Sequence, residues 1–87
     1  MAVTWMPMRV DFDPEVQAWY LSLADAPVSR TVHVSDEVAV DVASDGGVVG
    51  VEFLLAPAAV DRHLRAELFE RFPVVRTALA ELHAAVA

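Results

Sequence analysis

From Met8 to Phe53, apolar and polar residues alternate with a period of two, broken only by short clusters of turn-forming residues. Half-buried antiparallel strands read in this way, because successive side chains leave opposite faces of a sheet. Five strands are predicted, at Met8–Phe12, Gln17–Leu23, Arg30–Val34, Val38–Val42 and Val48–Phe53. Their connections are short, so neighbours in sequence are expected to be neighbours in the sheet, an antiparallel β-meander.

Turn chemistry then proposes a register. The Asp45-Gly46 pair in Ser44-Asp45-Gly46-Gly47 suits a two-residue type I′ hairpin, which sets Val42 opposite Val49, Val40 opposite Val51 and Val38 opposite Phe53. A three-residue loop at Ser35-Asp36-Glu37 pairs Val34 with Val38 and Val32 with Val40, and asks Glu37 to take a left-handed conformation. Asp13-Pro14-Glu15-Val16 reads as a turn with proline presetting φ, pairing Val10 with Trp19 and Met8 with Leu21. Across the longer loop Ala24 to Ser29, Leu21 opposite Val32 keeps the same valine-rich face together.

After Phe53 the period changes. Val60, Leu64 and Leu68 recur at spacing four, and Val75, Leu79, Leu82 and Val86 at spacings four, three and four, which is the apolar stripe of a helix. Two short helices are predicted, with Pro57 in the first turn of one, Pro73 in the first turn of the other, and a bend at Arg71-Phe72. The first is expected to cover the valine face. The second carries Val74, Ala78 and Ala85 outside its main stripe, more apolar surface than one contact needs, so it is a candidate dimer interface at Leu79, Leu82 and Val86. The alternative is that it packs wholly on its own sheet, since alanine is simply a good helix former. The fold class is therefore α+β: a five-stranded antiparallel meander (8–54) with a C-terminal helical segment (57–87) on one face. Residues 8–87 form one domain, and 1–7 a loose extension holding Trp5.

Length and composition narrow the functional classes. A chain of 87 residues builds a marginal core, which a disulfide, a metal or a partner subunit often supplements. Without cysteine there is no disulfide, no thiol nucleophile and no thiolate-bound zinc. Hydrophobic residues are 56% of the chain, an excess for so small a domain, which favours a homo-oligomer, a dimer in the first instance. A net charge of −7 with no basic stripe argues against nucleic acid. No apolar run is long enough to span a bilayer and no signal-peptide pattern opens the chain, so no membrane is expected and the cytoplasm is the default location.

Candidate chemistry falls on the polar face of the sheet. In the register above, Arg9, Tyr20, His33, Ala39 and Glu52 share one cross-strand row, and Ser22, Thr31, Asp41 and Gly50 the row beside it. At about 4.8 Å between strands, His33 and Glu52 flank Ala39 across roughly 10 Å, with Asp41 diagonal to both and a shallow depression over Ala39 and Gly50. An imidazole beside two carboxylates is a candidate weak metal site, His33, Asp41 and Glu52, and with Tyr20 a candidate ligand site. The competing reading is a solvated face of ordinary cross-strand ion pairs, Arg9 with Asp11 among them. His63 and His83 lie on helices without supporting partners. Ser22, diagonal to His33, lacks a nucleophile elbow, and Gly46-Gly47 is turn chemistry rather than a phosphate loop. No catalytic residue and no cofactor is assigned.

The ordered blocks Val10-Asp11-Phe12-Asp13-Pro14-Glu15, Ala18-Trp19-Tyr20-Leu21-Ser22-Leu23, Thr31-Val32-His33-Val34, Val38-Ala39-Val40-Asp41 and Asp45-Gly46-Gly47-Val48-Val49-Gly50-Val51-Glu52 together resemble the small bacterial proteins of the domain-of-unknown-function family 2283. The chain departs from that pattern at Gln17, Ser22 and Glu37. The resemblance covers roughly residues 8 to 54 and implies a β-rich domain with no assigned activity. Two functional classes follow: a non-enzymatic protein-interaction domain, homodimeric and with a protein partner, and, as the alternative, a small-molecule or divalent-metal-binding domain, conceivably a minor enzyme, on the polar face.

Overall fold

The alternating segments fold into five strands, β1 (Arg9–Asp13), β2 (Ala18–Ser22), β3 (Arg30–His33), β4 (Val38–Val42) and β5 (Val48–Phe53), followed by a short 3₁₀ turn (Pro57–Ala59) and two helices, α1 (Arg62–Arg71) and α2 (Pro73–Val86). The computed structural model of the chain describes residues 9–86, and side chains through residue 82. Met8, the extension 1–7, and the side chains of His83 and Val86 lie outside the described residues. The α+β class stands: five antiparallel strands in one sheet, with the helical segment C-terminal to it.

The strand order is β1-β2-β5-β4-β3, so β2 pairs with β5 and not with β3. Leu21 stands opposite Val51, where the sequence suggested Val32. The alternation of β2 matches either neighbour equally well, and the loop after β2 settles the choice. The N–H groups of Leu23 and Ala24 both donate to Val49 O, at 2.8 and 3.1 Å, and the Ser29 N–H donates to Val42 O at 2.8 Å. The chain thus leaves β2 along the end of β5 and rejoins the sheet at β4. Six extended residues reach roughly 20 Å, and three strand spacings need about 14 Å.

Other registers hold in part. Val32 lies opposite Val40, and Val38 and Val40 lie opposite Phe53 and Val51, as the valine parity requires. At the β4–β5 hairpin the loop has three residues, not two: Gly46 N–H donates to Ala43 O (2.9 Å), Ala43 N–H to Gly47 O (2.8 Å), and Gly46 takes φ +90°. This is a type I turn closed by a left-handed glycine, a geometry accompanied by a bulge. A register shift between Asp41 and Val42 indeed puts Val42 opposite Val48 in place of Val49. The β1–β2 hairpin is two residues out of the expected register, with Val10 opposite Leu21 and Phe12 opposite Trp19. Its longer turn places Gln17 at φ +53°, whereas Glu37 is not left-handed. At the β3–β4 turn, Ser35 Oγ instead accepts the N–H groups of Glu37 and Val38, both at 3.1 Å.

The core sits between one sheet face and the helical layer. Leu21, Val38, Val40, Val51 and Phe53 from the sheet meet Val60, Leu68, Val75 and Ala78, all essentially inaccessible. Burying each of the larger side chains contributes about 1.5–3 kcal/mol. Both helices supply this contact, so the valine face is not covered by α1 alone, and Ala78, expected outside the stripe of α2, points inward. Asp61 caps α1, its Oδ1 accepting the Leu64 N–H at 3.0 Å, so α1 begins after the turn that holds Pro57. Pro73 starts α2, and Phe72 before it is forced out of helical geometry.

Candidate functional site

On the polar face, Tyr20, Glu52, Ala39 and His33 form one row in that order, with Asp11 rather than Arg9 at its β1 end. Arg9, Ser22, Gly50, Asp41 and Thr31 form the adjacent row. The two-residue change in the β1 register accounts for the exchange of Arg9 and Asp11. These two pair along their own strand, Arg9 Nε to Asp11 Oδ2 at 3.0 Å, both well exposed.

Tyr20 dominates this face. Its side chain crosses Gly50 diagonally, and the hydroxyl donates to Asp41 Oδ2 at 2.7 Å, while Thr31 Oγ1 donates to Asp41 Oδ1 at 2.6 Å. A β-carbon on Gly50 would collide with the Tyr20 hydroxyl and ring, so only glycine fits beneath it. The depression anticipated over Gly50 is filled by that ring. Burial, the hydrogen bond to Asp41, and the negative charges of Asp41 and then Glu52 push the phenol well above its ordinary value.

Both oxygens of Asp41 are therefore occupied by tyrosine and threonine hydroxyls. His33 and Glu52, both exposed, stand on either side of Ala39, about 10 Å apart by strand spacing. Among the described residues no three histidine or acidic side chains converge into a metal-ligand set. His33 and Glu52 flank Ala39 as expected, but Tyr20 stands beside Glu52 and not beside His33, because β2 pairs with β5, and the members of the row do not meet at a point. Tyr20, Asp41 and Thr31 instead make a polar clasp that passes over Gly50 and spans three strand spacings.

The opposite side of the molecule carries a larger feature. A groove of about 690 Å³ opens where the sheet edge meets the helices, its walls mostly apolar: Val10 and Trp19 from the sheet, Phe69 from α1, and Leu79, Ala80 and Leu82 from α2. Two of the interface candidates, Leu79 and Leu82, lie in this wall, both half-buried. Leu79 also packs against the core, whereas Leu82 is not among the core-packed residues. Phe12 stacks on Trp19 at a centroid distance of 4.6 Å and remains 46% exposed. Arg65 and Arg76 also line it, both exposed, beside the Ala56–Pro57–Ala58 segment, and Arg65 is anchored by donating to Val60 O at 2.7 Å. Sequence reasoning missed the sheet half of the groove. The available signal was Val10 and Trp19 falling on the core face, where both pack against the core and also line the groove.

Residues 9–56 match the family described as "Protein of unknown function (DUF2283)". The chain belongs to this family. No curated protein and no solved structure matches it. The matched span contains all five strands, hence the Tyr20–Asp41–Thr31 clasp, Gly50 and the sheet wall of the groove, while α1 and α2 lie beyond it. No helix among the described residues is long and apolar enough to cross a membrane.

Proposed function

We propose that this member of the DUF2283 family is a non-enzymatic protein-interaction domain that works as a homodimer, with the groove between Trp19 and Leu82 as its contact surface. The observation that carries this is the groove itself: an open, largely apolar concavity of about 690 Å³ lined by Trp19, Phe69 and two leucines. Apolar surface gathered in one concave place marks an interaction site more often than scattered exposed residues do. A second copy is the occupant because the molecule carries, on the β1–β2 turn, an exposed apolar and acidic projection whose charge complements the arginines of the groove.

The test is the mass of the protein in solution across dilution, by sedimentation. The wild-type chain should pass from dimer to monomer, and Leu82→Glu should shift the transition to at least tenfold higher concentration while keeping the circular dichroism of the fold. A wild-type chain monomeric up to millimolar concentration, or a folded Leu82→Glu dimer as tight as wild type, would sink the proposal.

A further inference from the structure

The β1–β2 turn is an unusual projection. Asp13, Pro14, Glu15, Val16 and Gln17 are all exposed, and Val16, at 62%, is the most exposed of the large hydrophobic residues described. Gln17 holds a left-handed φ of +53°, and Asp13 Oδ1 accepts the Glu15 N–H at 3.0 Å, so the loop is shaped from within. Neither Asp13 nor Glu15 forms an ion pair among the described residues. Arg76, on the exposed side of α2 at the groove, forms none there either. One molecule thus presents an apolar tip with negative charge, and an apolar groove with positive charge, in a chain otherwise strongly acidic at −7.

We infer that in the homodimer the β1–β2 turn of each copy docks on the other's groove, Val16 against its apolar wall and Glu15 against Arg76. This rests on the proposed self-association and specifies how the two copies meet. A two-fold axis makes the contact reciprocal: turn to groove and groove to turn, each charge pair occurring twice. The two elements are complementary to each other and unlike themselves, as an interface between different patches of one chain requires. Opposite charge fixes the register, and the remaining net charge of each copy opposes less specific aggregation.

The experiment is a charge exchange, Arg76→Glu and Glu15→Arg, read by sedimentation at low salt. Each single variant places like charges together twice, and should raise the dimer Kd by about tenfold or more. Mixing the two single variants should restore a dimer near wild-type strength, because in the mixed dimer one pair is native and the other is inverted. Wild-type dimer with single variants unaffected, or with no recovery on mixing, overturns the docking arrangement and leaves self-association standing. Recovery only when both changes sit in one chain places the contact within a molecule and also overturns it. A wild-type chain that never dimerises removes this inference together with the reading beneath it.

Discussion

Gly50 and Tyr20 form a single structural unit. The ring occupies the space a side chain at residue 50 would take, and its hydroxyl reaches past the glycine to Asp41 two strands away. Gly50→Ala should therefore displace the ring or spread the strands, costing about 1–3 kcal/mol, an overpacking cost measurable by urea denaturation. A loss below about 0.5 kcal/mol would show that the ring does not pack on the glycine. Tyr20 is the one tyrosine in the chain, so its ionisation can be followed by near-ultraviolet absorbance. The folded phenol titrates above its ordinary value near 10. A raised folded value means that the stabilisation is fully present below pH about 10 and is lost as pH climbs through the folded pKa. The folded protein should show little phenolate at pH values where the urea-unfolded chain is already ionised. Coincident titrations in the two states would contradict the buried hydrogen bond.

At the level of elements, what the sequence revealed depended on how many constraints met at each place. Valine parity and a three-residue loop together left one arrangement for β3 and β4, and Val32 does face Val40. Parity alone could not choose a neighbour for β2, because Leu21 is equally satisfied by Val32 or Val51, and the backbone bonds to Val49 that decide it leave no mark in the hydrophobic pattern. The glycines were legible as a turn, whereas the placement of Gly46 alone in the left-handed region added the third loop residue and the bulge. The polar row was legible in its members from β2 to β5 but not at β1, where Asp11 replaces Arg9, and the interpretation of its centre as an open depression failed because alternation does not show that a tyrosine lies across a glycine. In the helical segment, stripes and prolines gave both helices, but Asp61 placed the first start. Removing that cap in Asp61→Ala should destabilise the fold by about 1 kcal/mol in thermal or chemical unfolding, and an unchanged midpoint would show that the first turn of α1 is held by other contacts.

For the whole molecule, one sheet face is given to packing and the other to a polar lattice, and the helices cover the first incompletely. The groove is the uncovered remainder, and the family span supplies its sheet wall and Ala56 but none of its helical wall. The dimer proposed above completes this coverage, so dilution and Leu82→Glu should act on assembly first and on the fold second. The strand order carries another consequence, for synthesis. Because β5 lies between β2 and β4, the β1–β2 hairpin emerges from the ribosome with the outer edge of β2 still unpaired, and β3 and β4 follow without joining it. Only when Val48–Phe53 has been made can the two halves be zipped together through a contact some thirty residues apart in sequence, such as Leu21 with Val51. Non-local closures of this kind slow folding and leave nascent edges open to wrong partners. The last strand to be synthesised is thus the one that turns two separate hairpins into a sheet.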